Sequence, residues 1–262
     1  MAFSRLLYAL PAAALLTLGT IGSAAADAKA SATYVINLGG TIVATASFTL
    51  TDTAGAYDLV LNANVSGVAQ LVAAGTAKAN SSGSVTPSGL RSNAFKLVTH
   101  ASGEAFSVQV QYAAGDVSAF VINPPIVNNI NRVPLERNQL SGVNDMLAAF
   151  LLRGKLDKSL CDYRAQIFTG IERFDLDFRY AKDDVATSPR TGYQGPVVLC
   201  HVAYKPISGH YTTSEITNSL AQDDRILIWY APLHDTGYFI PYRVLLTTSM
   251  GDLSMVLTSL SD

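Results

Sequence analysis

Residues 161–180 read CDYRAQIFTGIERFDLDFRY and residues 195–210 read GPVVLCHVAYKPISGH. In the first stretch Phe174, Leu176, Phe178 and Tyr180 alternate with Arg173, Asp175, Asp177 and Arg179, the period of a strand with one apolar and one charged face. Alternating charges of this kind read as cross-strand pairs on a solvated face. The second stretch is strand-like as well, and each half carries one of the only two cysteines, Cys161 and Cys200. The simplest reading is two antiparallel strands joined by a disulfide, which closes a long loop and contributes about 4 kcal/mol in the chain-entropy picture.

Two cysteines suited to pairing imply an oxidising compartment, and the start of the chain agrees. Arg5 precedes an apolar run from Leu6 to Ile21 and small residues in an A-x-A arrangement, the pattern of a cleaved signal peptide with the cut after Ala26. The expected organisation is a leader over 1–26 and a single β-rich domain over 27–262, exported to the periplasm. Without Arg5 the chain has 17 Lys plus Arg against 20 Asp plus Glu. That balance offers no basic field for nucleic acid and no polybasic strip for anionic lipid.

From Thr33 to Ile122 the period stays at two. Tyr57, Leu59, Leu61, Ala63 and Val65 form one face of a strand, and Phe106, Val108, Val110 and Tyr112 one face of another. Gly39-Gly40, Asp52 to Gly55, Ser81-Ser82-Gly83 and Ala114 to Asp116 read as the turns between strands. The proline- and asparagine-rich segment from Asn123 to Leu140 reads as a loop crossing the sheet. It leads into SGVNDMLAAFLLRG, where Val143, Met146, Leu147, Phe150 and Leu151 fall at helical spacing, Ser141 or Asn144 stands at the start and Gly154 at the end. Further strands are expected around Val197 to Tyr204, Arg225 to Ala231, Tyr238 to Thr248 and Leu253 to Leu260.

The fold expected is mostly β: an antiparallel curved sheet or open barrel, of β-spiral or half-barrel form, with one main helix inside or across it. An outer-membrane barrel fits less well, since the chain ends without an aromatic residue and contains the proline loop and the helix.

Catalytic signatures are absent: there is no GxSxG elbow, HExxH, GxxxxGKS/T or GxGxxG. The four histidines are His100, His201, His210 and His234. His201 and His210 with Glu172, Asp175 or Glu215 are the residues from which a hydrolase or zinc site would have to be assembled, but their spacing matches no ligand motif. The expectation is structural histidines, with neither metal nor cofactor. Arg243, the lone strong charge of an apolar strand, either pairs in the interior with Asp175 or Asp177 or runs its stem along the sheet with its head in water.

Four stretches together resemble the DUF3108 group of exported proteobacterial proteins. They are NDMLAAFL after the proline loop, C-x6-F-T-G-x-x-R-F-D-L from Cys161 to Leu176, C-x-V-x-Y-x-P-I-x-G-H from Cys200 to His210, and I-W-x-A-P followed by I-P-x-R-V between Ile228 and Gly251. Met146 stands where that group usually has proline, and Thr169 where it often has aspartate. The resemblance implies a periplasmic β-rich domain with no established activity, similar at the level of fold to periplasmic β-spiral envelope-integrity proteins and, more loosely, to half-barrel carriers of lipoprotein acyl chains.

The functional expectation is a non-enzymatic envelope protein that takes a hydrophobic or amphipathic ligand, or an envelope partner, on the concave side of its sheet. Met146, Leu147, Phe150 and Leu151 are bulky, whereas the N-terminal half facing them is mostly Ala, Val, Ser and Gly, as in Ala69 to Ala79. Such a mismatch leaves either a close helix–sheet approach or a hollow that would accept an acyl chain.

Overall fold

The computed structural model describes residues 27–67, 75–87, 89–222, 226–248 and 251–261. The expected leader over 1–26 lies outside them, as does most of Ala69 to Ala79. Seven strands come first: β1 (Ala28–Leu38), β2 (Thr41–Thr53), β3 (Ala56–Val65), β4 (Gly75–Thr86), β5 (Gly89–Ala101), β6 (Glu104–Ala113) and β7 (Asp116–Asn123). After a long connection come α1 (Met146–Phe150), β8 (Leu152–Arg153), β9 (Arg164–Phe168), β10 (Arg173–Ala186), β11 (Gly195–Ser208), α2 (Glu215–Leu220), β12 (Ile226–Leu233), β13 (Tyr238–Thr248) and β14 (Gly251–Ser261).

These strands form one antiparallel sheet in the order β7-β6-β5-β4-β3-β2-β1-β14-β13-β12-β11-β10-β9, with β8 added beside β13. The chain therefore meanders outward from β1 on one side and returns inward to β14 on the other. First and last strands pair in the middle, with Ser31 opposite Ser261 and Leu38 opposite Leu253. The sheet is open, because no ladder joins β7 to β9. It is strongly rolled all the same. Phe120 of β7 and Phe168 of β9 meet edge to face with ring centroids 5.2 Å apart, and the Tyr112 hydroxyl donates to the Phe168 carbonyl at 3.2 Å.

Alternation decides which side chains fill the concave side. Along β1 the buried residues are Ala28, Ala30, Ala32 and Tyr34, and along β6 they are Val108, Val110 and Tyr112. Ser81-Ser82-Gly83 is not a turn. It lies inside β4, where Gly83 sits at a register shift and so close to its neighbours that an added Cβ would fall 2.0 Å from the Arg91 carbonyl oxygen and 2.9 Å from the Tyr57 ring. Close backbone approach, not chain reversal, is what that glycine provides.

The helix is also much shorter than its apolar spacing suggested. It spans five residues and is capped by Asp145, not by Ser141 or Asn144. Leu151 is already extended, and Leu152 and Arg153 then pair with Phe239 and Tyr238 of β13. An available strand edge ends the helix that local spacing would have continued.

The Cys161–Cys200 disulfide is present, with Cα atoms 5.6 Å apart. It does not link two strands. Cys161 closes a 3-10 turn, Lys158–Cys161, ahead of β9, and Cys200 is central in β11. Both are fully buried, so the bond fastens the end of the crossing connection to the sheet's concave face. With 39 residues of separation, its reduction should lower stability by about 3 to 4 kcal/mol. Melting the protein with and without reductant checks this, together with thiol labelling of unreduced protein, which should find no reactive cysteine.

Candidate functional site

Asp145 is completely buried. One carboxylate oxygen, Oδ1, accepts the amides of Leu147 at 2.8 Å and Ala148 at 3.0 Å, the N-terminal donors of α1. The other, Oδ2, accepts the hydroxyls of Ser81 from β4 and Ser92 from β5, both at 2.6 Å. The Asp145 amide in turn donates to the Ser92 hydroxyl at 3.1 Å, and the Tyr57 hydroxyl lies 3.2 Å from that of Ser81. Asn144 extends the tie: its side chain accepts from the Ser92 amide and donates to the Leu90 carbonyl. One capping residue thus fixes the first turn of α1 against the middle of β4 and the start of β5. Burial raises the Asp145 carboxyl above the usual carboxylate range, and the four hydrogen bonds hold it down only in part.

Held there, α1 reaches three separate parts of the core. Ala148, and Leu151 just beyond the helix, belong to the cluster that includes Ala28, Ala30, Ala32 and Leu50 of β1 and β2. Ala149 joins the cluster around the disulfide and Tyr230. Met146 and Leu147 rest on Phe95, Val108 and Val110.

The same helix forms one wall of an apolar cavity of about 280 Å³ on the concave face. Met146, Leu147, Phe150 and Leu151 line that wall. Tyr34, Ile36, Phe48 and Leu61 of β1 to β3 line the floor on one side, and Val244, Leu246, Leu253 and Met255 of β13 and β14 on the other. Apart from Tyr34 and Leu151, these large apolar side chains are only partly buried. The site thus joins residues far apart in sequence, and only its helical wall was expected from the apolar spacing. The floor was hidden because Phe48 and Met255 meet only through the pairing of β1 with β14 and β2, a long-range event with no local signal.

Ionic residues lie elsewhere. Arg173 is 4% exposed, against the expectation of a solvated charged face. Its guanidinium pairs with Asp175 and donates to the carbonyls of Gln139 at 2.9 Å and Phe174 at 2.7 Å, so it ties the connection before α1 to β10. Asp177 binds Arg164 and Lys205 on the outer face. Arg243 is exposed, stacked 5.4 Å above the Trp229 ring, and is not buried against Asp175 or Asp177. Thr169 stabilises the turn between β9 and β10 by accepting the amides of Ile171 and Glu172.

His201 sits within β11, and His210 lies beyond its end, where its carbonyl accepts the Val133 amide at 2.9 Å. The seven strand steps from His201 to Ser208 span about 20 Å. Among the described residues no group of three or more His, Cys, Asp or Glu has the proximity of a metal site. No described helix is long and apolar enough to cross a membrane.

The Asp145 cap has measurable consequences. Asp145→Ala removes the cap and leaves the buried hydroxyls of Ser81 and Ser92 short of an acceptor, a loss of about 2 to 4 kcal/mol, whereas Asp145→Asn keeps the cap and should cost far less. The pH dependence has an unusual sign. Because the folded-state carboxyl titrates above its unfolded value, its contribution is most favourable below the ordinary carboxylate range and is lost as pH rises through the higher folded value. Urea melts from pH 4 to pH 8 should show this loss in the wild type and not in Asp145→Asn.

No curated protein and no solved structure matches the chain. One family does, over residues 33–258, from within β1 to within β14. That span contains every residue of the cap, the disulfide and both walls of the cavity, and the chain accordingly belongs to the family described as protein of unknown function (DUF3108).

Proposed function

We propose that this protein is a non-enzymatic periplasmic envelope protein that holds the apolar chain of an amphipathic ligand, such as a fatty acyl chain, between α1 and the concave face of the sheet. The observation that carries this reading is the cavity of about 280 Å³ walled by partly buried Met, Leu, Phe, Ile and Val side chains. A folded chain gains by covering such surface, at about 0.8 kcal/mol per buried methylene, so residues left half-covered in one place favour an apolar occupant. The volume lies near the lower end of small-molecule sites, which suits one acyl chain better than a multi-ring ligand. The leader pattern and the buried disulfide support export to an oxidising compartment.

A fluorescent fatty-acid titration of delipidated protein tests the reading, with saturable binding expected. Each two methylenes removed from a competing fatty acid should weaken it about tenfold while the chain still lies within the groove. Phe48→Asp, which places a charge on the cavity floor, should abolish binding with the disulfide and far-UV circular dichroism unchanged. Absence of saturable binding, or affinity that ignores chain length, would sink the proposal.

A further inference from the structure

Six tyrosines are buried among the described residues: Tyr34, Tyr57, Tyr112, Tyr230, Tyr238 and Tyr242. Four of them place the hydroxyl on a protein partner. Tyr57 meets Ser81, Tyr112 donates to the Phe168 carbonyl, Tyr238 to Asp52 and Tyr242 to Thr191. A buried phenol without such a partner forfeits the hydrogen bond it made in water, so tyrosine hydroxyls in protein interiors are usually bonded. Tyr34 and Tyr230 are the two departures. The Tyr230 hydroxyl is sealed in the core without a partner, and the Tyr34 hydroxyl has no hydrogen bond among the described residues.

Position separates these two. Tyr230 is fully buried and does not line the cavity beside α1, whereas Tyr34, 4% exposed, does. The two side chains are near enough to influence each other electrostatically. Of the fourteen residues that line the cavity none is charged, and Tyr34 supplies the only side-chain oxygen. Burial raises the Tyr34 hydroxyl well above the usual phenol range, so it is a neutral donor at physiological pH.

Few groups suit that donor. A water molecule beside it would meet one hydroxyl and otherwise hydrocarbon, short of the about three partners that hold a buried water. A carboxylate would be buried with no cation among the lining residues, at a cost far above what one hydrogen bond returns. An amide would add an N–H with no second side-chain oxygen to receive it. An ester carbonyl accepts from the hydroxyl, adds no donor, and is flanked by methylenes that match the walls.

We propose that the cavity takes an esterified acyl chain, whose ester carbonyl accepts the hydrogen bond of the Tyr34 hydroxyl. This rests on the acyl-chain reading above and makes Tyr34 the residue that sets specificity at that site. A free fatty acid fits with its chain inside and its carboxylate left in water, and so leaves Tyr34 unbonded.

Competition against a bound fluorescent fatty acid at pH 8, with methyl decanoate and decanoate as the two competitors, tests this on the purified protein. Tyr34→Phe should weaken methyl decanoate about tenfold and leave decanoate within about twofold. Because the Tyr34 hydroxyl bonds to no protein group, the same substitution should not lower the melting temperature of the ligand-free protein. Tyr242→Phe, which loses the bond to Thr191 at 3.0 Å, should lower it and leave the ratio of the two affinities unchanged. A ratio that Tyr34→Phe does not alter overturns the ester assignment, while saturable decanoate binding keeps the acyl-chain reading in place. If neither competitor displaces the probe, both are overturned.

Discussion

The concave side of this molecule depends on the buried carboxylate of Asp145. A five-residue helix has no stability of its own, since nucleation fixes several residues for a single hydrogen bond. What keeps α1 in place is that both Asp145 oxygens are used, one on the helix amides and one on hydroxyls from β4 and β5. No ion pair to Asp145 is formed among the described residues, so short hydrogen bonds alone offset the cost of burying it. Serine is suited to the task. It delivers a donor from within a strand without the bulk that would push α1 off the sheet.

From that anchor the rest of the interior follows. Since α1 touches all three apolar clusters, it joins the outward meander from β1 to β7 with the return from β9 to β14. The disulfide and the buried Arg173 act on the same connection from its two ends. Arg173 holds the Gln139 carbonyl before the helix, and Cys161 holds the segment after it. A connection that would otherwise lie loosely across an open sheet is fastened at three places in the interior. The two edges can roll toward one another around it without a closing ladder.

Period-two patterning made most strands legible in the sequence, including Tyr238 to Thr248 to the residue, because alternation on a half-buried sheet is a local property. Reading Ser81-Ser82-Gly83 as a turn failed for a physical reason. Small polar residues favour reversals when nothing else needs them, and here Asp145 and the Tyr57 ring need them within a strand. Helical spacing from Val143 to Leu151 was real but served three different neighbours, so it overstated the helix. Burial of Arg173 was likewise hidden, because its carbonyl acceptors at Gln139 and Phe174 leave no mark in the charge alternation of β10. Disulfide pairing followed from the count of cysteines, whereas its attachment to a 3-10 turn depended on the path of the connection.

Bulky residues on the helix and small ones on the sheet left two outcomes open, close approach or a hollow, and the chain contains both: α1 lies close to β4, β5 and β9, and the hollow opens toward β1, β2, β13 and β14. Where β1 presents Ala28, Ala30 and Ala32, these alanines are buried in one cluster with Ala148 and Leu151. Farther along the same face β1 presents Tyr34 and Ile36, opposite Ala46 and Ala44 of β2, while Phe48 stands opposite Ala32. Side chains of that size hold the opposing surface away. The connection has by then turned from α1 into β8 beside β13, so nothing from the described chain fills the space between them. The hollow lies where Tyr34, Ile36 and Phe48 of the sheet face α1 and Leu151. Its position is therefore set by Asp145, which decides where the helix starts.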